Sequence, residues 1–233
     1  MNLGELRDRY RLKLDDRGTP PLWSDDEADG DINLAYIEAV DRGLVIFDRT
    51  SFTVSTVATQ AEYQLDPVII RVKRAWLVGL AVVDGVTEDD IPLYEMTADE
   101  VYAWMNFDRF GSYATSPTVT FSSSSYGMTE DGAFIVVPTP SEARTIRLEV
   151  WRYPLVSLVD DNDTPEIPTI YHDKMLAWAM YLAYEKQDSD TKDAAKAKKC
   201  ADDFERDFGP PKNAWQRRAQ LENRTLRVRP SPF

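Results

Sequence analysis

The sequence predicts an α+β protein: an antiparallel helical bundle of about four helices, an inserted antiparallel β domain and an extended C-terminal tail. Three observations predict it. Apolar residues recur at spacings of three and four near both ends of the chain, the signature of helices that bury one face. Between Thr50 and Leu158 the period shortens and β-branched and aromatic residues gather, which is what strands require. Beyond Pro210 the chain turns basic and rich in proline, with no pattern of a buried core. The boundaries that follow are 1–49 and 159–209 for the two halves of the bundle, 50–158 for the β domain and 210–233 for the tail.

Taking the elements in order, Asn2 caps a first helix with Glu5 three residues on, the pattern of a capping box, and Leu3, Leu6, Tyr10 and Leu14 form its stripe. After the turn-rich, acidic "RGTPPLWSDDEADGD", a second helix carries Ile32, Tyr36, Ala39, Val40, Gly43 and Phe47 on one face. "SFTVSTVATQAEYQL", "VIIRVKRAWLVGLAVV", "AFIVV" and "TIRLEVWRY" are the expected strands, and in the last Ile146, Leu148 and Val150 alternate with charged residues. Asp84-Gly85, Asp131-Gly132 and "PTPSEAR" are turn signals, "TADEVYAWMN" fits a short helix, and "SSSSYG" at 122–127 reads as a loop. Pro168 opens a third helix with Tyr171, Met175, Trp178, Ala179 and Leu182 as its stripe. The fourth carries Ala197, Cys200, Ala201, Phe204 and Phe208, and Gly209-Pro210 ends it.

Composition narrows the function. At 43% hydrophobic and 11% aromatic residues the chain has enough apolar surface to fold, and no window is apolar enough to span a bilayer or serve as a signal peptide. The expectation is a soluble protein made in a cytoplasm. Cys200 is the only cysteine, which excludes an internal disulfide and leaves a small buried thiol as its ordinary role. The formal charge of −13 is unevenly spread. Six cations between Pro210 and Phe233 stand against Glu222 alone, a net of +5, which leaves −18 on residues 1–209. A body so acidic repels nucleic acid at long range.

No catalytic signature emerges. His172 is the only histidine, and Asp173 beside it on a helix points about 100° away, so the pair is poorly placed as a base and its orienter. The run "SDDEADGDINLAY" resembles a calcium loop in Asp25, Glu27, Asp29 and Gly30, but Tyr36 stands where the bidentate glutamate belongs; helix-capping carboxylates account for it better. Asp160, Asp161, Asp163, Asp188 and Asp190 read as solvated turns flanking the third helix. The expectation is no enzyme, no metal and no cofactor. The tail interleaves Trp215, Leu221, Leu226, Val228 and Phe233 with arginines, a composition suited to ordering on a protein partner or, as the alternative, on nucleic acid.

Three phrases, "LGELRDRYRLKLDD…WSDDE…INLAYIEAVDRG", "AFIVVPTPSEARTIRLEVWRYPL" and "PEIPTIYHDKMLAWAMYLAYEKQDSDTKDAAKAKKCADDFERDF", together resemble the head-to-tail adaptors of short-tailed bacteriophages, similar to the tail tubular protein A class. The resemblance implies a helical bundle with an inserted β domain, assembled as a ring of twelve that joins the portal protein to the tail nozzle in the virion, with the genome passing through its lumen. It makes Pro168, Tyr171 and His172 structural positions at a helix start. In that role the composition of the tail suits docking on the portal through Trp215, Arg217, Arg218, Arg224, Arg227, Arg229 and Phe233, and the β domain is where contacts to the nozzle or tail fibres are expected. A reading from another class, a glycan-binding or depolymerising tail component, would use Trp76, Tyr94, Trp104, Phe107 and Tyr113 as a sugar platform.

Overall fold

A computed structural model describes residues 1–79, 90–97, 100–101, 125–129, 132–186, 192–214 and 216–217. The chain divides into two compact units, a helical one built from Met1–Ile46 and Arg152–Lys212 and a β one that includes Phe47–Trp151 and, beyond the helical unit, Asn213.

Among the described residues of the helical unit there are four α-helices, the expected number: α1 (Leu3–Leu14), α2 (Asp25–Gly43), α3 (His172–Glu185) and α4 (Ala194–Phe208). Their starts are written in the sequence. Asn2 and Glu5 form a reciprocal capping box on α1, Ser24 and Glu27 do the same on α2, and the Asp193 carboxylate accepts from the amides of Ala195 and Lys196 at the head of α4. Gly209, at φ 92°, lets the chain leave α4 in a conformation that other residues resist. α2 and α3 pack against each other, and each also packs against α1 and α4. The buried stripe of α4 is Ala197, Cys200, Phe204 and Phe208, as its periodicity predicts. On α3 the buried face is His172, Met175, Leu176, Ala179 and Ala183, rotated from the expected stripe because the helix meets several partners at once.

In the β unit seven strands lie in the order β1-β7-β3-β4-β5-β6-β2: β1 (Phe47–Ser55), β2 (Glu62–Gln64), β3 (Ile69–Leu77), β4 (Ile91–Glu95), β5 (Ser125–Met128), β6 (Ala133–Val137) and β7 (Thr145–Arg152). Ile146, Leu148 and Val150 of β7 point into a core with Val72, Tyr126 and Phe134, as the alternation predicts. β6 is buried along its whole length, and its Ile135 and Val137 pack with Val101 in a second cluster. Gly127 is required there: a Cβ at this position would stand 2.2 Å from Cγ2 of Val101.

Four expectations are corrected. The sheet is not antiparallel throughout, because β4 and β5 pair in parallel, Tyr94 opposite Ser125. The connection of residues 96–124 is long enough to cross over, where a hairpin would have forced an antiparallel pair. Likewise α2 and α3 each touch all three other helices, so the helices gather about this central pair and not as a bundle of four equivalent neighbours. The architecture is therefore mixed α+β, with four helices and a curled seven-stranded sheet, and not an antiparallel bundle carrying an antiparallel β insert. "SSSSYG" is not simply a loop, since Ser125–Met128 is β5 and Tyr126 is buried in the core. Finally, α2 ends at Gly43 where Leu44 turns left-handed at φ 48°, so Phe47 opens β1 opposite Trp151 instead of extending the helix. The Asp84-Gly85 turn, Asp131 and all of "TADEVYAWMN" except Thr97, Glu100 and Val101 lie outside the described residues.

Salt bridges make the helical unit acid-sensitive. Burial would raise the Asp173 carboxyl, but Lys13 at 2.9 Å and Arg9 at 3.0 Å outweigh it and hold the group below its usual range. Backbone amides do the same for Asp163, and the Ser24 cap does so for Glu27. Carboxylates depressed in the folded state add stability above their ordinary values, and that stability is lost as pH falls through the folded ones. Asp31, raised by burial, works in the opposite direction but is one group against four, since the amides of Lys196 and Ala195 also hold Asp193 low. The urea midpoint of the helical circular dichroism signal should therefore drop between neutral pH and about pH 3. Asp173→Asn should show a smaller drop; an equal drop would remove Asp173 from the account.

Candidate functional site

His172 is fully buried at the first turn of α3, and no part of it reaches solvent. Its Nε2 lies 2.9 Å from the carbonyl of Ile167, which can only accept, so this nitrogen carries the hydrogen; Nδ1 faces the amine of Met1 at 2.9 Å. Asp173 turns away to Arg9 and Lys13. The ring joins α3 to the segment that precedes it and has no opening to a substrate.

The acidic segments resolve in the same way. Asp25 and Glu27 lie in the first turn of α2, and Asp29 sits one turn further, where it accepts two bonds from the Arg7 guanidinium at 2.7 Å. Arg7 also reaches Asp161 at 2.9 Å, so one cation on α1 ties α2 to the segment leading into α3. Asp163 accepts from the amides of Val159 and Asp160 at 2.8 Å and shapes that turn. Among the described residues no group of histidine, cysteine and carboxylate side chains is arranged to hold a metal ion. Cys200 is buried on α4, and burial pushes its thiol up, away from nucleophilic reactivity.

Of the five aromatics of a sugar platform, Trp104, Phe107 and Tyr113 lie outside the described residues. Trp76 has the Arg147 guanidinium 6.0 Å from its ring centroid, and only Tyr94 stands well exposed. Of the tail positions, Arg217 alone is described with its surroundings: its amide donates to the Asn213 carbonyl at 3.0 Å. Asn213 and Gln216 exchange side-chain and backbone bonds at 2.8 and 2.9 Å, as a capping box does, and just before them Lys212 donates to the carbonyl of Asp41 at the end of α2. Trp215, Arg218, Arg224, Arg227, Arg229 and Phe233 lie outside the described residues. The root of the tail is thus fastened to the helical unit.

The family model described as SU10 adaptor protein matches residues 1–229. The chain belongs to the SU10 adaptor protein family. No curated protein matches it significantly. Membership makes it a phage adaptor, a structural component of the virion whose partners are other capsid and tail proteins. The burial of His172 and the helix-capping use of the acidic segment agree with a structural part. No described helix of the adaptor is long and apolar enough to cross a membrane. The site that sequence reasoning missed is on the helical unit itself, where Ile37 of α2 and Leu155 and Val156 after β7 stand exposed around a groove. "LVSLV" carried the signal, an apolar run in an otherwise acidic turn.

Proposed function

We propose that the adaptor forms a ring, of twelve copies by the resemblance of its phrases to the tail tubular protein A class, that joins the portal to the tail nozzle and lets the genome pass. The observation that carries this reading, beyond family membership, is the segregation of charge: −18 on residues 1–209 against +5 on the tail. An acidic body does not grip phosphates, so a polymer can slide past it, while a basic tail with aromatic anchors suits a groove on another protein. The tail, residues 210–233, docks on the portal through Trp215, Arg217, Arg218, Arg224, Arg227, Arg229 and Phe233, and the β unit faces the nozzle or fibres.

Cryo-electron microscopy of the adaptor mixed with the portal of the same phage tests the ring. A collar with the tail ordered on the portal is the expected result; a portal competent for other partners that takes up no adaptor sinks it. Deleting residues 213–233, which keeps the Lys212 bond to Asp41, should weaken portal attachment at least tenfold, about 1.4 kcal/mol, and leave the folded body unchanged. Attachment of undiminished strength would assign the docking to another surface.

A further inference from the structure

Among the described residues β1 and β2 are the two edges of the sheet, and an edge presents a row of backbone groups that another strand can pair. β2 is guarded. It has only the three residues Glu62–Gln64, and the Gln60 side chain donates to the Glu62 carbonyl at 2.8 Å. β1 is guarded over its first half alone. There the register with β7 shifts between Asp48 and Phe52, and the Asp48 carboxylate accepts from the amides of Thr50 and Ser51 at 3.1 and 3.0 Å. The second half, from Phe52 to Ser55, pairs regularly with β7 and carries no proline, charge or bulge.

The ladder says which groups of that half face outward. The Thr56 amide donates to the Arg144 carbonyl at 2.7 Å, so these two residues form a hydrogen-bonded pair. In an antiparallel ladder such pairs alternate with pairs whose N–H and C=O turn away from each other. Thr53 and Ser55, opposite Arg147 and Thr145, therefore aim their amides and carbonyls away from β7. The Thr145 carbonyl agrees, because it turns to its other neighbour and accepts from the Val78 amide at 2.9 Å. Thr53 and Ser55 are exposed, and no described strand lies on that side. On the opposite face Val54 is buried in the core, and Phe52 packs against the same core but stays half-exposed. The edge thus offers four backbone groups beside an apolar row that stops at Phe52 and Val54.

One segment of the chain has the matching pattern. In "TLRVR", residues 225–229, Leu226 and Val228 alternate with Thr225, Arg227 and Arg229, and Pro230 behind them cannot continue a ladder. This is the period of a strand with one apolar face, and a lone strand has nothing to cover that face. Charge favours the match. Residues 47–151 carry seven cations against fifteen carboxylates, a net of −8, and residues 213–233 carry five arginines against Glu222 alone, a net of +4. Reach allows it. Lys212 is fastened to the carbonyl of Asp41, six residues before β1 begins, and Asn213 already counts with the β unit. The eight residues from Arg218 to Thr225 span about 26 Å when extended.

We propose that residues 225–229 add to the open half of β1 in the same chain as an antiparallel edge strand, with Thr225 opposite Ser55 and Arg227 opposite Thr53. Leu226 then lies beside Val54 and Val228 beside Phe52, which extends the apolar row, while Arg227 and Arg229 stay on the outer face. The pairing itself rests on β1 and the tail; its use, which is to hold these arginines outward for the portal, rests on the portal reading above.

The test uses the full chain. In a Ser55→Cys, Thr225→Cys double variant the two positions are directly opposite, about 5.5 Å apart between Cα atoms, a separation that a disulfide spans. Oxidation should link the two peptides within one monomer, read by mass spectrometry; Cys200 is buried and stays out of the reaction. Chains linked only to other copies, or not linked at all, overturn the pairing. Hydrogen exchange at the amides of Thr53 and Ser55 is the second readout. Wild type should exchange there at least tenfold more slowly than Arg227→Pro, which removes one ladder donor from the tail and leaves the circular dichroism of the body unchanged. Equal rates in the two proteins overturn the pairing. Portal attachment separates this inference from the reading it serves. A wild type that protects both amides but takes up no portal keeps the pairing and removes the docking, whereas one that binds the portal with both amides unprotected keeps the docking and removes the pairing.

Discussion

Replacing Phe204 with alanine should lower the stability of the helical unit by about 3–5 kcal/mol, seen as a large fall in the urea midpoint of the helical circular dichroism signal. Phe204 is fully buried on α4. Its ring centroid lies 4.6 Å from that of Phe208 and 5.2 Å from that of Trp178, and the Arg42 guanidinium of α2 stands 5.1 Å above it. One side chain therefore joins three helices. Truncation removes the transfer energy of the ring and leaves a cavity walled by two aromatic side chains that their own backbones hold in place. It also takes one of two rings from beneath Arg42, which remains over Trp178 at 4.3 Å and paired with Glu38 at 2.6 Å. A loss of that size is a large share of the 5–15 kcal/mol that stabilises most domains. Phe204→Leu, which keeps most of the volume, should cost less than half as much. A loss below about 1 kcal/mol in Phe204→Ala would mean that α4 is not fastened here.

Phe204 was legible because α4 is a regular helix with one apolar stripe, and the chemistry that makes such a stripe is local. The Asn2 and Glu5 box on α1 and the alternation of Ile146, Leu148 and Val150 on β7 are of the same kind. Where contacts come from far along the chain, the pattern gives less. β5 is four residues long and begins in a run of serines, and only its pairing with β4 and β6 makes it a strand. Phe47 continues the helical spacing of α2, but the left-handed turn at Leu44 breaks the helix and its ring packs on Trp151 at 4.7 Å. The bond from Arg7 to Asp161 spans 154 residues and leaves no trace in either segment. The groove failed to show for a related reason: Leu155, Val156 and Val159 have the composition of a core, and nothing local says that they face outward. For His172 the helical spacing turns Asp173 away, toward Arg9 and Lys13, whereas the carbonyl that its ring bonds is visible only in the fold.

The groove depends on one carboxylate, and the second large effect is expected there. Glu166 holds the segment after β7 against α2 by three bonds. One carboxylate oxygen accepts from the Arg152 guanidinium at 2.6 Å, the other accepts from the Leu155 amide at 2.8 Å, and the Glu166 amide donates to the Tyr36 hydroxyl at 2.7 Å. Burial pushes Tyr36 up to about 12, so its hydroxyl keeps its proton across the useful pH range. Glu166→Ala would leave the nearly buried Arg152 without this carboxylate and free the Leu155 amide. Breaking a buried pair costs about 3–5 kcal/mol, and because the Glu166 side chain is 31% exposed the lower end applies, about 3 kcal/mol. Glu166→Gln keeps the acceptor for Leu155 but not the charge facing Arg152, so it should fall between wild type and alanine. The two losses are separable by what they change. Arg152 sits at the end of β7 and bears on folding, whereas Leu155 forms the groove wall. Hydrogen exchange at Leu155 should therefore quicken sharply in Glu166→Ala and little in Glu166→Gln, while both lower the urea midpoint. Exchange at Leu155 that quickens equally in both variants would detach the Leu155 amide from Glu166.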